Sequence, residues 1–599
     1  MAASKRSFLD FPLRLVRRRH LPAAIDGKEP VRDHGPAPRS IADRGVEGPS
    51  KMSKQGDMTS VIDLTREKGT GPTRTRRPLY VDLLPPCRAA CPAGEDIQGW
   101  LALAQAGNYR KAWELLVREN PFPAVHGRVC YHPCESHCNR GDYDAPVSIH
   151  AIERFLGDLA SAEGWPFPQA AAPSGKRVLV VGAGPCGLSA AYHLARLGHA
   201  VEVHEAGPLA GGMMHFGIPA YRLPREVLAN EVERIERMGV RFVFDHKVED
   251  LLAEKAAGVF DAVLVAIGAQ IGKHVDIPAR DAARVLDAVS LLHQVAGEER
   301  PLLGRRVVIY GGGNVAMDAA RTAKRLGAEE ALIVYRRDRA HMPARAFEAD
   351  EALSEGIRIR WLTTIKEITG EELTVERMEL GPDGRPRPTG QYDALRADAV
   401  VLAIGQETDS RFLRRVPGIL FGKDGAVIVD QNRMTGHPGV FAGGDAVPGD
   451  QTVTDAVGQG KKAARSIDGW LRGSASAEPA PPPGVSFAML HLPVYLDVPP
   501  GRQSERPLAA RTSDFAEVVA GLSEAEARRE AERCFSCGIC FECDNCFAAC
   551  PEDAILKLGP GLRYRFLYEK CTGCAVCFEQ CPCHAIEMIP EPAPAGGRA

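Results

Sequence analysis

The sequence predicts an α/β protein: two nested Rossmann-like dinucleotide-binding domains, a helical iron–sulfur domain ahead of them and a ferredoxin-like α+β domain behind. Three observations predict it. A strand, glycine turn, helix and strand run from Lys176 to Ala206, a second such unit starts at Arg306, and two interlocking cysteine runs lie between Cys540 and Cys581.

The first unit reads KRVLVVGAGPCGLSAAYHLARLGHAVEVHEA. The apolar run Val178 to Val181 leads into Gly182-x-Gly184-x-x-Gly187, a helical stretch, a strand from Val201 to His204, and Glu205. The first glycine makes the turn, the second lets backbone amides approach a pyrophosphate, and the third lets the helix pack on the strand. Glu205 stands where a carboxylate accepts hydrogen bonds from an adenosine ribose, which suits FAD. Residues 178–195 are uncharged over the length of a membrane span, but the central glycines make them a buried strand and helix.

The length, 599 residues, corresponds to about four domains as a prior. A net charge of −3 makes no global case for nucleic acid or an anionic membrane surface. The 17 cysteines fall into five between Cys87 and Cys138, Cys186, and eleven between Cys534 and Cys583. Their C-x-x-C and C-x-x-x-C spacings, without a secretory signal, point to metal ligation in a reducing compartment, the cytoplasm, rather than to disulfides.

Residues 1–77 read as a disordered basic tail, with a cluster from Arg14 to His20 whose alternative is a membrane-surface or targeting helix. Met52 and Met58 leave the true start open. Residues 78–170 form the helical iron–sulfur domain, with Cys87, Cys91, Cys130, Cys134 and Cys138 as ligands. A 4Fe–4S cluster needs four converging ligands, so five cysteines suffice for one cluster and fall short of two. A zinc knuckle is the alternative.

Residues 171–290 are the first part of the FAD domain, where Gly212 and Met213 allow backbone to approach a planar ring. Residues 291–400 are the nicotinamide domain, with Gly311, Gly313, Asn314 and Ala316 in the turn. Its strand Ala331 to Tyr335 ends on Arg336 and Arg337, two forked guanidiniums that suit a ribose 2′-phosphate and favour NADPH over NADH. Strands ending at Gly268 and Gly405 bracket this insert. Residues 401–472 return to FAD, with Gly444 and Asp445 at a strand end, then Thr454 and a basic helix from Lys461 to Trp470. Asp445 suits a ribityl hydroxyl or pyrophosphate contact, and the following helix aims its N-terminus at the ring. Hydride transfer between nicotinamide and flavin needs no protein acid or base, so no catalytic side chain is assigned.

Residues 473–533 are a Ser/Ala/Pro linker followed by a short helix from Ser523 to Arg533. Residues 534–592 form a two-cluster ferredoxin domain. Cys540, Cys543 and Cys546 pair with Cys581, and Cys571, Cys574 and Cys577 pair with Cys550, because the fourth cysteine of each such run serves the other cluster. Cys534, Cys537 and Cys583 are left over, as further ligands or as spare thiols.

Residues about 80–472 resemble the small subunit of NADPH-dependent glutamate synthase and its relatives, which include the flavin–NADPH half of dihydropyrimidine dehydrogenase. The resemblance rests on GRVCYHPCESHC, PVSIHAIE, VGAGPCGLSAA, GGMMHFGIPAYRLP, GGGNVAMDAAR, YRR and GVFAGGDA. CPCHAIEM, at Cys581 to Met588, is similar to the ferredoxin-type delta subunit of 2-oxoacid oxidoreductases. The resemblance implies an NAD(P)H:acceptor oxidoreductase subunit moving electrons between NADPH, FAD and 4Fe–4S clusters, to or from a partner such as ferredoxin or a 2-oxoacid oxidoreductase. The other readings are glutamate synthase small subunit proper and a non-catalytic wiring subunit of a larger complex. Fuller family members carry two more cysteines ahead of Cys87, where this chain has Val81-Asp82-Leu83-Leu84. Carried over by position, Cys91, Cys130, Cys134 and Glu153 would hold one N-terminal cluster, and Cys87 and Cys138 would be the orphaned half of another. Cys138 in place of Glu153 is the all-thiolate alternative.

Overall fold

Two parallel sheets carry the α/β part of the chain, in a computed structural model that describes residues 74–592 apart from 274, 276, 281–283, 298, 475–479, 493–494 and 496–497. The cluster from Arg14 to His20, Met52 and Met58 lie outside the described residues. In the first sheet the strands run Val440–Ala442, Ala262–Val265, Arg177–Val181, Ala200–His204 and Arg241–Val243, every neighbouring pair parallel. Val178 to Val181 is buried throughout, as a parallel strand covered on both faces requires. The helix Pro185–Arg196 crosses over to the second strand, which disposes of residues 178–195 as a membrane span. Among the described residues no helix is long and apolar enough to cross a membrane.

The second parallel sheet runs Arg358–Arg360, Glu330–Val334, Arg306–Tyr310, Ala399–Leu402 and Arg284–Asp287. The chain has crossed to the second half by Ala279, which pairs with Ile368, well ahead of 291, and it leaves that half after Leu402. A smaller sheet built on the antiparallel strands Thr363–Thr369, Glu372–Leu380 and Pro386–Arg396 packs beside it.

The basic helix is longer than the sequence suggested, Val453–Leu471, with the Thr452 side chain capping its N-terminus. Gly458 and Gly460 sit inside it. A Cβ at Gly458 would lie 2.1 Å from the Pro92 carbonyl oxygen, and one at Gly460 would lie 2.3 Å from that of Cys186. These glycines serve close packing rather than a loop.

Residues 74–77, assigned to the tail by the sequence, are packed against the ferredoxin region. Arg76 and Arg77 begin the strand Arg76–Tyr80, which pairs antiparallel with Ile586–Pro590 in the ferredoxin region. Arg74 adds an ion pair with Glu591 at 2.7 Å. The partner strand is at the far end of the sequence, so no local pattern announces this strand. The described residues from Gly501 to Ala531 are packed against the rest of the chain. Glu530, in the helix Glu524–Ala531, accepts the Ser148 N–H at 2.8 Å and the Gly501 N–H at 2.5 Å, fastening this stretch to the N-terminal helical domain. That domain is built from Ile97–Gln105, Tyr109–Leu116, Pro123–Val129 and Ile149–Ala162 around buried Trp100, Trp113, Leu116 and Ile152.

Candidate functional site

Both glycine turns open on one cavity of about 570 Å³. Gly182, Gly184, Glu205, Gly212, Met213, Gly444 and Asp445 line it from the first sheet, and Gly313 and Asn314 from the second. The glycines divide by role. A Cβ at Gly187 would sit 1.9 Å from the Gly182 carbonyl oxygen, whereas one at Gly184 meets nothing within 4 Å. The second unit repeats this: a Cβ at Gly311 would lie 2.1 Å from the Ala403 carbonyl oxygen, and one at Gly313 meets nothing within 4 Å. In each turn one glycine faces open space at a helix N-terminus, a cradle for a diphosphate.

Glu205 accepts the Ala183 N–H at 2.7 Å and the Gly207 N–H at 2.9 Å, so the first turn and the acid are locked together. Asn314 accepts the Arg345 N–H at 2.9 Å and donates to the Tyr131 hydroxyl at 2.6 Å, tying the second turn to the helical domain. Burial, with the Asp455 charge adding, pushes the Asp445 carboxyl up to about 6. Arg222, on the flavin side of the cavity, pairs with Asp318 at 2.7 Å and also with Glu348, both on helices of the second unit. This buried triad fixes how the two halves of the cavity face one another.

Two expected contacts differ. Thr454 does not line the cavity. Its hydroxyl donates to the Cys130 sulfur at 3.0 Å, while Thr452 and Val453 face the cavity instead. About 100° of helix rotation per residue separates the two sides, which chain position alone could not resolve. Arg336 and Arg337 stand just past the strand Glu330–Val334 but outside the cavity wall. Arg336 is exposed, and the Arg337 Nε is buried without a hydrogen-bond partner. Neither forms an ion pair among the described residues.

The cysteines gather into separate sets. Cys550 lines a cavity with Cys571, Cys574 and Cys577. Burial pushes the Cys540 thiol up to about 11, and the neighbouring Cys546 and Cys581 add to it. Cys581 also acts on Cys543 and Cys546. A sulfur–sulfur hydrogen bond with Cys583 at 3.9 Å instead holds Cys581 down at about 7.

In the helical domain Cys91, Cys130, Cys134 and Glu153 converge. Burial raises all four, and the charge of Glu153 adds to the shifts of Cys91 and Cys134. Asn120 donates to Glu153 at 2.8 Å and to Glu95 at 2.9 Å. Burial lowers His126 to about 3, so it is a neutral neighbour. A buried carboxylate facing three thiols, with further acids as the main charges acting on it, is costly, and a cationic iron core would compensate it. Cys138 faces away and lines a different cavity with Cys87, Cys534 and Cys537. The geometry therefore brings Glu153, rather than Cys138, beside the Cys91 set. Glu153→Ala is expected to remove about four iron atoms per chain and Glu153→Cys to keep them, read by iron analysis of anaerobically purified protein. Retention of all iron in the alanine variant would exclude Glu153 as a ligand.

Sequence reasoning missed Glu95, Asn120, Tyr131 and Arg222. Each acts across elements apart in the chain: Tyr131 and Arg222 sit inside GRVCYHPCESHC and GGMMHFGIPAYRLP without a spacing that singles them out, and Glu95 and Asn120 lie in neither.

The described geometry agrees with comparisons to known proteins. The pyridine nucleotide-disulphide oxidoreductase family matches residues 176–460. Dihydropyrimidine dehydrogenase domain II, 4Fe-4S cluster, matches 74–165, and the 4Fe-4S dicluster domain matches 526–582. The chain is 39% identical over 499 residues to the NADP(+)-dependent formate dehydrogenase subunit beta of Moorella thermoacetica, covering 76% of this chain and 70% of that one. It is 33% identical over 505 residues to the NADPH-Fe(3+) oxidoreductase subunit beta of Geobacter sulfurreducens, covering 76% and 75%. It is 33% identical over 420 residues to the glutamate synthase [NADPH] small chain of Escherichia coli, covering 65% and 89%.

Proposed function

The chain belongs to the family of FAD- and 4Fe–4S-dependent NADPH oxidoreductases that includes the glutamate synthase small chain, and from that premise we propose how its own residues divide the work. It is an oxidoreductase that moves electrons between NADPH, FAD and 4Fe–4S clusters. Bound FAD would supply the conversion between two-electron hydride exchange with NADPH and one-electron transfer with the clusters.

Gly182 and Gly184 bring backbone amides to the FAD diphosphate, and Glu205 takes its adenosine ribose. Gly212, Met213, Gly444 and Asp445 surround the flavin end. Gly311, Gly313 and Asn314 hold the NADPH diphosphate, and Arg336 with Arg337 takes the 2′-phosphate. The unpartnered Arg337 Nε supports that role, because a buried donor without an acceptor lacks its ordinary compensation. Thr454, on the helix that borders the flavin cavity, hydrogen-bonds Cys130 and so joins the cavity to the first ligand set. Cys540, Cys543, Cys546 with Cys581, and Cys571, Cys574, Cys577 with Cys550, hold the two clusters of the ferredoxin domain.

The observation that carries this reading is the single cavity on which both glycine turns open. It argues against the non-catalytic wiring reading, which has no need of an intact nicotinamide half. Anaerobic addition of NADPH to the flavin-loaded full chain is expected to bleach the flavin absorbance, and NADH to do so more slowly. A flavin that stays oxidised under NADPH would leave only the wiring role.

The partner is a redox protein or a larger oxidoreductase complex, such as ferredoxin or a 2-oxoacid oxidoreductase. The ferredoxin domain supports this, because it offers a cluster near the surface: Cys571 and Cys574 are only half-buried. None of the 17 cysteines is in a disulfide and most group as metal-cluster ligands, which supports a reducing compartment, the cytoplasm.

A further inference from the structure

We propose that Cys87, Cys138, Cys534 and Cys537 hold a fourth 4Fe–4S cluster, closed by ligands from opposite ends of the chain, between the helical domain and the ferredoxin domain. The inference rests on the electron-transfer reading above.

The four thiols line one cavity with Gln98, Leu101 and Phe535. It encloses about 20 Å³, the same as the cavity ringed by Cys550, Cys571, Cys574 and Cys577. Cys87 and Cys138 come from the helical domain. Cys534 and Cys537 follow directly on the helix Glu524–Ala531, which is fastened to that domain through Glu530. Two thiols were missing from the helical domain for a second cluster, and the far end of the chain supplies two.

The Cys534–Cys537 loop has the backbone of a cluster loop. Ser536 and Gly538 have φ of +52° and +74°. The ferredoxin loops repeat this at the same offsets, with Glu542 at +61° and Asp544 at +69°, then Gly573 at +73° and Ala575 at +67°. Non-glycine residues seldom adopt positive φ, so three such loops share one cause. In each of the Cys534 and Cys571 loops the residue two places on donates its N–H to the first sulfur at 3.4 Å. Asn139 donates to the Cys537 sulfur, also at 3.4 Å.

Two buried guanidiniums border the site. Arg140 lines the cavity, and Arg533 precedes Cys534, with 2% and 0% exposure. Both are already ion-paired, Arg140 with Asp144 at 2.7 Å and Arg533 with Glu530 at 2.6 Å and Asp144 at 3.0 Å, so they border the site as part of a satisfied charge network. A single zinc ion fits less well. Its four sulfurs would stand about 3.8 Å apart at the Zn–S length of about 2.3 Å, yet among the described residues no three cysteine sulfurs lie within 4.8 Å of one another.

The site also completes a series. Cys87 and Cys91, and likewise Cys134 and Cys138, are four residues apart and belong to adjacent sets. Cys537 and Cys540 are three apart and bridge to the ferredoxin domain, where Cys546 with Cys550 and Cys577 with Cys581 repeat the exchange. Four residues of chain span at most roughly 14 Å, so each ligand set is held close to the next. Without the composite set, that sequence of short links is broken.

The test is iron and sulfide analysis of the anaerobically purified full chain, with spin quantification of the dithionite-reduced protein. Four clusters give about sixteen irons per chain and three give about twelve. Cys534→Ala with Cys537→Ala is expected to lose about four irons. If that variant does not accumulate, Cys87→Ser tests the same site from another segment, and spin integration of the unsubstituted chain stands by itself. About twelve irons with three reduced clusters, about twelve irons with one zinc, or unchanged iron in the double variant would each overturn the proposal. Flavin bleaching by NADPH with only twelve irons sinks this inference alone, and sixteen irons without bleaching sinks only the reading above.

Discussion

Gly184→Val is expected to give a folded, cluster-bearing protein that has lost its flavin. A Cβ at this position meets no heavy atom within 4 Å, so the folded chain tolerates it. The added branches enter the cavity where backbone amides would otherwise approach the FAD diphosphate. Losing two charge-assisted hydrogen bonds at about 1.5–3 kcal/mol each would weaken binding on the order of a hundredfold or more. The contrast is Gly187→Val. Its Cβ would lie 1.9 Å from the Gly182 carbonyl oxygen, so that substitution should disturb folding as well. Flavin-to-protein ratio beside the thermal melting midpoint separates the cases. Full flavin content in Gly184→Val would mean that the open space is not where the diphosphate lies.

The second large effect is expected from Arg336→Glu combined with Arg337→Glu. The pair lies at a strand end without acidic partners among the described residues, so reversing it breaks no ion pair that the fold depends on. It removes two guanidiniums from a 2′-phosphate and sets two carboxylates in their place. Charge-assisted bonds of about 1.5–3 kcal/mol each predict a rise in KM for NADPH on the order of a hundred- to a thousandfold. KM for NADH, which lacks the phosphate, should change by only a few fold. Equal changes for both coenzymes would make the pair a general electrostatic influence, and no change for NADPH would remove it from the site.

Much of the fold was legible because the chemistry imposes local patterns. The strand Arg177–Val181, its glycine turn and the helix Pro185–Arg196 follow from an apolar run and three glycines spaced for one purpose. The ferredoxin cysteines were legible for the same reason, since spacing within each run decides which sulfurs can reach one metal core. What the sequence hid was long-range. The strand Arg76–Tyr80 finds its partner at Ile586–Pro590, and polar, arginine-rich residues ahead of it look like a tail when read alone. Cys534 and Cys537 were left open as further ligands or spare thiols because the cysteines that share their cavity, Cys87 and Cys138, come from the other end of the chain. Thr454 was assigned to the wrong side of its helix, because chain order gives proximity but not the rotation that turns its hydroxyl to Cys130. Asn120, buried among Glu95, His126 and Glu153, has no spacing signature at all.

The central claim is that electrons from NADPH pass through the flavin into the iron–sulfur sets of the same chain. Low-temperature EPR of the anaerobic full chain after stepwise addition of NADPH tests it most directly. Signals of reduced 4Fe–4S clusters should appear as the flavin absorbance falls, and should be weak in Gly184→Val. Reduced clusters that form equally well without flavin, or a bleached flavin beside clusters that all remain oxidised, would contradict the account.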